Sequence, residues 1–207
     1  MPDLGRAALV VCLGLCAYAA VVGALAAKRR RRRLAVSAQN ALVAAFGAAA
    51  VAAGVLVVAL VRHDFSLAYV AAHTSRKLPT LYTISAFWGG QEGSLLLWLL
   101  VLMGYSTAAV LFDRHAGREL LAWVVPVLGV VGSFFALLLV AVASPFATQA
   151  VPADGLGLNP SLQNPYMVAH PPFLYLGYVG LTVPFAFAMG ALLAGRADER
   201  WIVATRR

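Results

Sequence analysis

Charged residues are scarce in this chain of 207 residues. Asp, Glu, Lys and Arg make up 12% of it, whereas hydrophobic residues make up 62%. Soluble globular domains carry roughly 25% charged residues, so this composition excludes an ordinary soluble domain. Five apolar runs contain no Asp, Glu, Lys or Arg, and each is close to the about 20 residues needed to cross a bilayer. The runs extend over residues 7–27, 40–61, 94–112, 120–143 and 173–194.

These runs predict an all-α integral membrane protein with about five transmembrane helices, because an open backbone in lipid can satisfy its polar groups only as a helix. We expect a single helical membrane domain over residues 1–207. Six consecutive cations at 28–33 follow the first run. If this segment is cytoplasmic, every loop obeys the positive-inside rule. The N-terminus is then outside and the C-terminus inside, and the long loops 62–93 and 144–169 face outward.

Other absences narrow the chemistry. The two cysteines, Cys12 and Cys16, are four residues apart on one helix. Their Cβ atoms are too far apart for a disulfide, so we expect both to pack as small apolar residues. The sequence has no metal-ligand cluster, phosphate-binding glycine loop or nucleophile triad. Uncharged helices count against an ion or proton transporter. The net charge of +8 is a topology signal, because its longest basic run abuts a membrane helix, and no nucleic acid partner is expected.

The four histidines are separated in the sequence. His63, together with its charged neighbours Arg62 and Asp64, is expected to mark the end of a helix at the headgroups. His73 lies in a polar stretch and is expected to be solvated. His115 follows two charged residues and is expected on the inner surface. None of these three sequence settings indicates a site.

His170 has a more informative setting, because two prolines follow it and a long apolar run begins. Proline is tolerated in the first turn of a helix, and the residue before a proline prefers extended geometry. The sequence therefore predicts His170 at or just outside the start of the last helix. Held there beside Tyr166, Phe173 and Tyr175, an imidazole can ligate a haem iron while aromatic rings cover the porphyrin. The alternative is an interfacial histidine within an aromatic belt.

The segment before the third run is also unusual. Its composition suits an amphipathic segment lying in the membrane interface, with Tyr82, Phe87 and Trp88 as anchors. Gly89 and Gly90 follow Trp88 directly, and glycine lets a backbone approach a flat ligand or another helix closely. The alternative is a packed turn between an interfacial helix and a spanning helix.

Three motifs carry a resemblance to a known family: WGGQEGSLLLW at 88–98, NPSLQNP at 159–165 and HPPFLYLGYVG at 170–180. Together they strongly resemble the CcmF-type cytochrome c haem lyase family, and the resemblance extends from the first helix to the last residue. It implies a role in cytochrome c maturation on the outer face of an energy-transducing membrane, which the resemblance implies is a bacterial inner (plasma) membrane. In that family, a haem chaperone delivers haem, two outward-facing histidines hold it, and it is joined to the cysteines of an apocytochrome c.

The resemblance also implies a site. His170 matches the first of the two outer histidines, which makes it the expected axial ligand of a haem b iron. Trp88 and Tyr175 are expected on the apolar surface around that haem. No catalytic residue is assigned. Membrane lipid, a haem chaperone and apocytochrome c maturation proteins are the expected partners.

The sequence departs from the family pattern in one respect. Family members continue into a tryptophan-rich haem-handling segment, a second outer haem histidine and histidines within helices, none of which is present in this sequence. We therefore expect an N-terminal fragment, a truncated product or one half of a split protein, whose missing C-terminal half is a further partner. Such a chain is incomplete as a catalyst alone. Two alternatives are a structural membrane scaffold that docks partner proteins without binding haem, and a subunit of a small-molecule (haem) transporter.

Overall fold

The computed structural model describes residues 1–112 and 117–195. Within these ranges the chain is helical, apart from loops, two 3₁₀ turns and one isolated β-bridge between Leu67 and Thr148. The α-helices are α1 (Pro2–Arg29), α2 (Arg32–Val61), α3 (Ala68–His73), α4 (Thr80–Ser85), α5 (Gln91–Phe112), α6 (Gly117–Ala141), α7 (Pro165–Gly180) and α8 (Thr182–Leu193).

Five helical segments are long and apolar enough to cross a membrane, which confirms the predicted fold class. They are α1, α2, α5, most of α6, and α7 continued by α8. The last segment is interrupted at Leu181, where α7 has ended and α8 has not begun. Pro184 explains the interruption, because it lacks the N–H that would bond to the carbonyl of Gly180 and its ring crowds that carbonyl.

Glycine allows α6 to approach α1 closely. A Cβ atom at Gly129 would lie 2.6 Å from the backbone nitrogen of Ala20 and 2.8 Å from the carbonyl oxygen of Cys16. Cys12 and Cys16 are fully buried and unpaired, and the Cys16 thiol lies 3.5 Å from the sulfur of Met103 on α5. The expectation that both cysteines pack as small apolar residues is confirmed.

The start of α7 differs from the prediction. The helix begins at Pro165, and the Asn164 side chain caps it by accepting a hydrogen bond of 2.9 Å from the Tyr166 N–H. His170, Pro171 and Pro172 therefore lie inside the helix, and the prediction that His170 lies at or outside its start is wrong. An Asn cap followed by proline at the first helical position is a stronger start signal than a later proline pair. Membrane helices also tolerate internal proline better than soluble helices do.

The loop after α2 and the loop after α6 bind each other at one end of the bundle. Asp154 accepts a hydrogen bond of 3.0 Å from the Arg76 N–H and a second, of 2.8 Å, from the Gly155 N–H. Four backbone hydrogen bonds add to this contact: Ala68 N–H to Ala147 O, Gln149 N–H to Ser66 O, Leu156 N–H to Ala71 O, and Gly157 N–H to Thr74 O. These bonds hold the two loops together as one layer at this end of the bundle.

Candidate functional site

Trp88 ends a 3₁₀ turn between α4 and α5 that is held by Tyr69 of α3. The Tyr69 hydroxyl donates to the carbonyl of Ala86 at 2.8 Å and lies 3.1 Å from that of Phe87. It also accepts a hydrogen bond of 3.1 Å from the Gly90 N–H. Burial raises the pKa of Tyr69 well above its usual value, so the hydroxyl keeps its proton. One buried side chain therefore pairs with the backbone on both sides of Trp88.

The glycines of the Trp88 segment are closely packed against side chains of this same chain. A Cβ atom at Gly90 would collide with the His73 ring, and one at Gly93 would collide with the Phe87 carbonyl and the Tyr69 hydroxyl. Of the two interpretations that the sequence left open, the packed turn describes Gly90 and Gly93.

His73 is half-buried, so the expectation that it is solvated is wrong. Its ring stacks on Tyr69 at a centroid distance of 4.3 Å, and its Nδ1 lies 2.8 Å from the Tyr69 carbonyl oxygen. Helical spacing causes this, because residues four apart share a face. Of the other histidines, His63 lies just beyond the end of α2 at Val61, as expected for a helix end. His115 lies outside the described residues.

Ser94 links the Trp88 turn to α7. Its hydroxyl donates a hydrogen bond of 3.0 Å to the carbonyl of Trp88 and accepts one of 3.3 Å from the hydroxyl of Tyr175. The Tyr175 ring also meets Trp98 edge to face at 5.4 Å, and Trp98 in turn packs against Phe135 of α6. Two of the three residues expected at a haem site, Trp88 and Tyr175, are thus joined through one serine.

His170 lies on another face of α7. Tyr175 is five residues further along, which turns its side chain by about 140° around the helix. His170 instead shares its face with Tyr166 and Phe173, which are 84% and 73% exposed. The His170 ring is exposed, and it makes no hydrogen bond to the residues that the structure describes. This face therefore presents an unpaired imidazole between two exposed aromatic rings.

His170 and Trp88 each carry an unpaired ring nitrogen within the described residues. An iron ligand needs an imidazole nitrogen that is free of internal hydrogen bonds, and His170 has it. Trp88 contributes a second unpaired group, because its indole N–H is buried without a partner in the described part of the chain. A buried donor without a partner is costly. Within the described residues, no cluster of three His, Cys, Asp or Glu side chains could hold a metal ion directly.

Tyr69 and Ser94 are functional candidates that the sequence did not reveal. Tyr69 lies in a six-residue helix without a motif, and only its contacts with the Trp88 turn distinguish it. Ser94 lies within the recognised 88–98 motif, which was the available signal. Its role depends on Tyr175, 81 residues further along the chain.

The sequence is similar to those of known cytochrome c assembly proteins. A model of the family described as "Cytochrome C assembly protein" matches residues 88–204. The chain is 42% identical to the cytochrome c-type biogenesis protein CcmF of Pseudomonas aeruginosa, over 97% of this chain and 31% of that protein. It is 37% identical to CcmF of Escherichia coli, over 100% of this chain and 32% of that protein. It is 40% identical to the cytochrome c-type biogenesis protein CycK of Rhizobium meliloti, over 96% of this chain and 30% of that protein.

A solved structure is also similar. The cytochrome c haem lyase CcmF superimposes with a TM-score of 0.85 at 32% identity, over 99% of this chain and 32% of that chain. The chain thus spans about a third of the length of the curated relatives that it matches. Because the family model covers more than half of the sequence, and the CcmF proteins match nearly all of it, the chain belongs to the cytochrome c assembly protein family of membrane proteins, in its CcmF-type branch.

Proposed function

We propose that this chain helps to hold haem b on the outer face of the bacterial inner membrane for covalent attachment to apocytochrome c, with His170 as one axial ligand of the iron. The main support for this proposal is the exposed imidazole of His170, which has no hydrogen-bond partner among the described residues and shares a helix face with the exposed rings of Tyr166 and Phe173. A neutral imidazole donates a lone pair to iron, and flanking aromatic rings suit the apolar porphyrin face. When bound, the haem supplies the group that becomes attached to the apocytochrome.

We propose that Tyr175 and Trp88 support the site around His170. Tyr175 binds Ser94 and Trp98, so we propose that it serves haem binding by fixing the rotation of α7. Trp88 lies at the other end of this link, and we propose that its ring contributes to the apolar surface around the haem. A six-coordinate haem needs a second ligand, and we propose that the further length found in the relatives supplies it. A haem chaperone and apocytochrome c maturation proteins are the proposed partners.

The test of ligation uses the chain together with the maturation proteins of its own system. His170→Ala is expected to lose bound haem or to shift its absorption spectrum, and added imidazole is expected to restore the spectrum by occupying the vacated position. His115→Ala is the control and is expected to leave the spectrum unchanged. Equal losses in both variants, without rescue by imidazole, would show general destabilisation and would refute ligation by His170.

A second experiment concerns completeness. The purified chain alone offers one exposed histidine on α7, so it is expected to bind haem weakly, and to bind it tightly only together with a polypeptide that carries the family's tryptophan-rich segment. Titration with haem, followed by absorption, measures both affinities. Tight bis-histidine binding by the isolated chain would contradict the proposal that the site is shared.

A scaffold that docks partners without binding haem is the second candidate. The observation that favours it is the internal packing of the Trp88 turn, where Tyr69 and His73 fill the space beside the glycines. A scaffold would keep partner binding in His170→Ala, and no haem spectrum would depend on His170.

The proposed orientation places the 62–93 and 144–169 loops outside. Cysteine introduced at Ser75 is then expected to react with a membrane-impermeant reagent in intact cells, and cysteine introduced at Gly117 is not. The native Cys12 and Cys16 are fully buried and give a low background. Labelling at position 117 from outside would overturn this orientation.

A further inference from the structure

The connection between α1 and α2 is built almost entirely from cations. Lys28 and Arg29 end α1, Arg30 adopts a left-handed conformation with φ 51°, and α2 begins at Arg32. The turn is closed by hydrogen bonds from the Arg30 N–H to the Ala27 carbonyl and from the Arg31 N–H to the Ala26 carbonyl. All six side chains of the segment 28–33, hereafter the basic hairpin, are exposed. Six positive charges therefore extend from a single tight turn.

The basic hairpin meets little acidic charge in the part of the chain that the structure describes. Within the described residues, one ion pair of 4.0 Å or less occurs, between Arg30 and Glu119 at 3.6 Å. It also shows that the basic hairpin and the start of α6 are on the same side of the bundle. The basic hairpin itself contains six Lys or Arg and no Asp or Glu. The pair between Arg30 and Glu119 therefore leaves an excess of five positive charges on the basic hairpin.

The opposite side of the bundle is balanced. Its segments contain four basic residues, Arg6, Arg62, Arg76 and Lys77, and four acidic residues, Asp3, Asp64, Glu92 and Asp154. These described segments therefore carry no net charge, whereas the basic hairpin carries six positive charges. A difference in the number of basic residues between the two sides is enough to set the orientation of a membrane protein. Six consecutive exposed cations on one turn form in addition a concentrated surface for anions.

We propose that the basic hairpin binds the anionic headgroups of phospholipids in the adjacent membrane leaflet. Guanidinium groups bind phosphate through two parallel hydrogen bonds, which favours arginine over lysine here. A juxtamembrane cluster of this size is attracted to an anionic membrane surface.

The surface below the hairpin suits the rest of a lipid molecule. Leu25 of α1 and Val36 of α2 are 41% and 43% exposed about one turn below the cations. A headgroup on the arginines would thus place its acyl chains against aliphatic side chains. Because the cations directly adjoin two spanning helices, a membrane lipid fits better than a nucleic acid or an acidic protein.

The experiment compares two triple variants of the whole chain that lose the same charge. Arg31→Gln, Arg32→Gln and Arg33→Gln neutralise half of the basic hairpin but keep the Arg30–Glu119 pair. Arg6→Gln, Arg62→Gln and Lys77→Gln remove three charges from the opposite side. Each protein is incubated in detergent with equal amounts of phosphatidylglycerol and phosphatidylcholine of the same chain length. Native mass spectrometry then measures the bound lipid.

The wild-type chain is expected to retain phosphatidylglycerol preferentially, and high salt is expected to weaken that preference. The hairpin variant is expected to bind phosphatidylglycerol roughly tenfold more weakly, or weaker still, whereas the opposite-side variant keeps wild-type binding. A third variant with Arg31→Lys, Arg32→Lys and Arg33→Lys keeps the charge but loses the paired guanidinium hydrogen bonds. It is expected to bind phosphatidylglycerol with an affinity between those of the wild type and the hairpin variant, which separates charge from a folding defect. Equal losses in the two neutralised variants, no preference in the wild type, or tighter retention of an oligonucleotide than of phosphatidylglycerol would overturn the proposal.

Discussion

The Tyr175 hydroxyl donates a hydrogen bond of 3.3 Å to the Ser94 hydroxyl, which itself donates to the Trp88 carbonyl. This two-step link joins the helix that carries His170 to the turn that carries Trp88. It crosses from α7 to the first turn of α5, and the Tyr175 ring beside Trp98 supports it. The rotation of α7, and with it the direction of His170, is therefore coupled to the Trp88 turn.

Replacing Tyr175 by Phe keeps the ring against Trp98 but removes the hydroxyl donor. We expect the free energy of unfolding to fall by about 1 kcal/mol, which is typical of one hydrogen bond. Denaturant unfolding in detergent, followed by circular dichroism, measures this change. Tyr178→Phe is the matched control, because Tyr178 is 62% exposed and is expected to be neutral. Equal effects of the two substitutions would show that the Tyr175–Ser94 bond contributes nothing measurable.

Gly93→Ala is expected to destabilise the chain although alanine is the better helix former. The new methyl group would meet the Phe87 carbonyl and the Tyr69 hydroxyl, and backbone cannot move aside as a flexible side chain can. Overpacking of this kind costs about 1–3 kcal/mol. Gly54→Ala in α2 is the control, since nothing lies within 4 Å of its Cβ position, and it is expected to be neutral or stabilising. The free energy of unfolding, measured by denaturant unfolding, is expected to fall in Gly93→Ala and not in Gly54→Ala. A stabilised Gly93→Ala variant would contradict the close packing.

Tyr69→Phe is expected to loosen the Trp88 turn. The Gly90 N–H loses its acceptor, and the Ala86 carbonyl loses one of its two donors but keeps the Gly89 N–H, at a cost of about 1–3 kcal/mol for partly buried groups. Hydrogen exchange of the Gly90 amide is expected to accelerate more than exchange at the distant Val58 amide of α2. Tyr82→Phe provides the comparison, because Tyr82 is half-buried in α4 beside the same turn. Unchanged exchange at Gly90 would show that Tyr69 does not hold the turn.

The contact between the two loops is expected to depend on acidic pH. The Arg76 and Gly155 N–H groups donate to Asp154 and hold the pKa of its carboxyl below the usual value. A lowered folded-state pKa means that the carboxylate stabilises the loops above the usual pKa, and that this contribution is lost as the pH falls through the lowered value. Amide chemical shifts of Arg76 and Gly155 should be constant from neutral pH down to about pH 4 and should move below it.

Two variants define the origin of that pH dependence. Asp154→Asn is expected to abolish the acid transition, because the amide oxygen accepts but does not titrate. His63→Gln is expected to leave it in place, because the hydrogen bonds from the Arg76 and Gly155 N–H groups do not involve His63. A transition that disappears in His63→Gln but persists in Asp154→Asn would assign it to the histidine instead.

Most of the membrane architecture follows from local sequence. Each spanning helix satisfies its own backbone, so an uncharged run of sufficient length specifies it without reference to any neighbour. For this reason five runs became five spans, and the motif at 88–98 together with the one at 170–180 indicated the family later shown by comparison. Cys12 and Cys16 were placed correctly by the same logic, because the spacing of two residues on one helix decides whether they can pair.

Tertiary structure decided what depends on distant residues. The start of α7 was misplaced because Asn164–Pro165 competes with the His170 proline pair, and local signals alone did not rank them. His73 looked solvated because its neighbours are polar, yet its ring packs against Gly90, seventeen positions along the chain. The Tyr69 and Tyr175 contacts likewise join segments that are far apart in sequence. Composition and periodicity specify helices and their charges, whereas the direction of each site residue depends on how one helix rotates against another, and only packing determines that rotation.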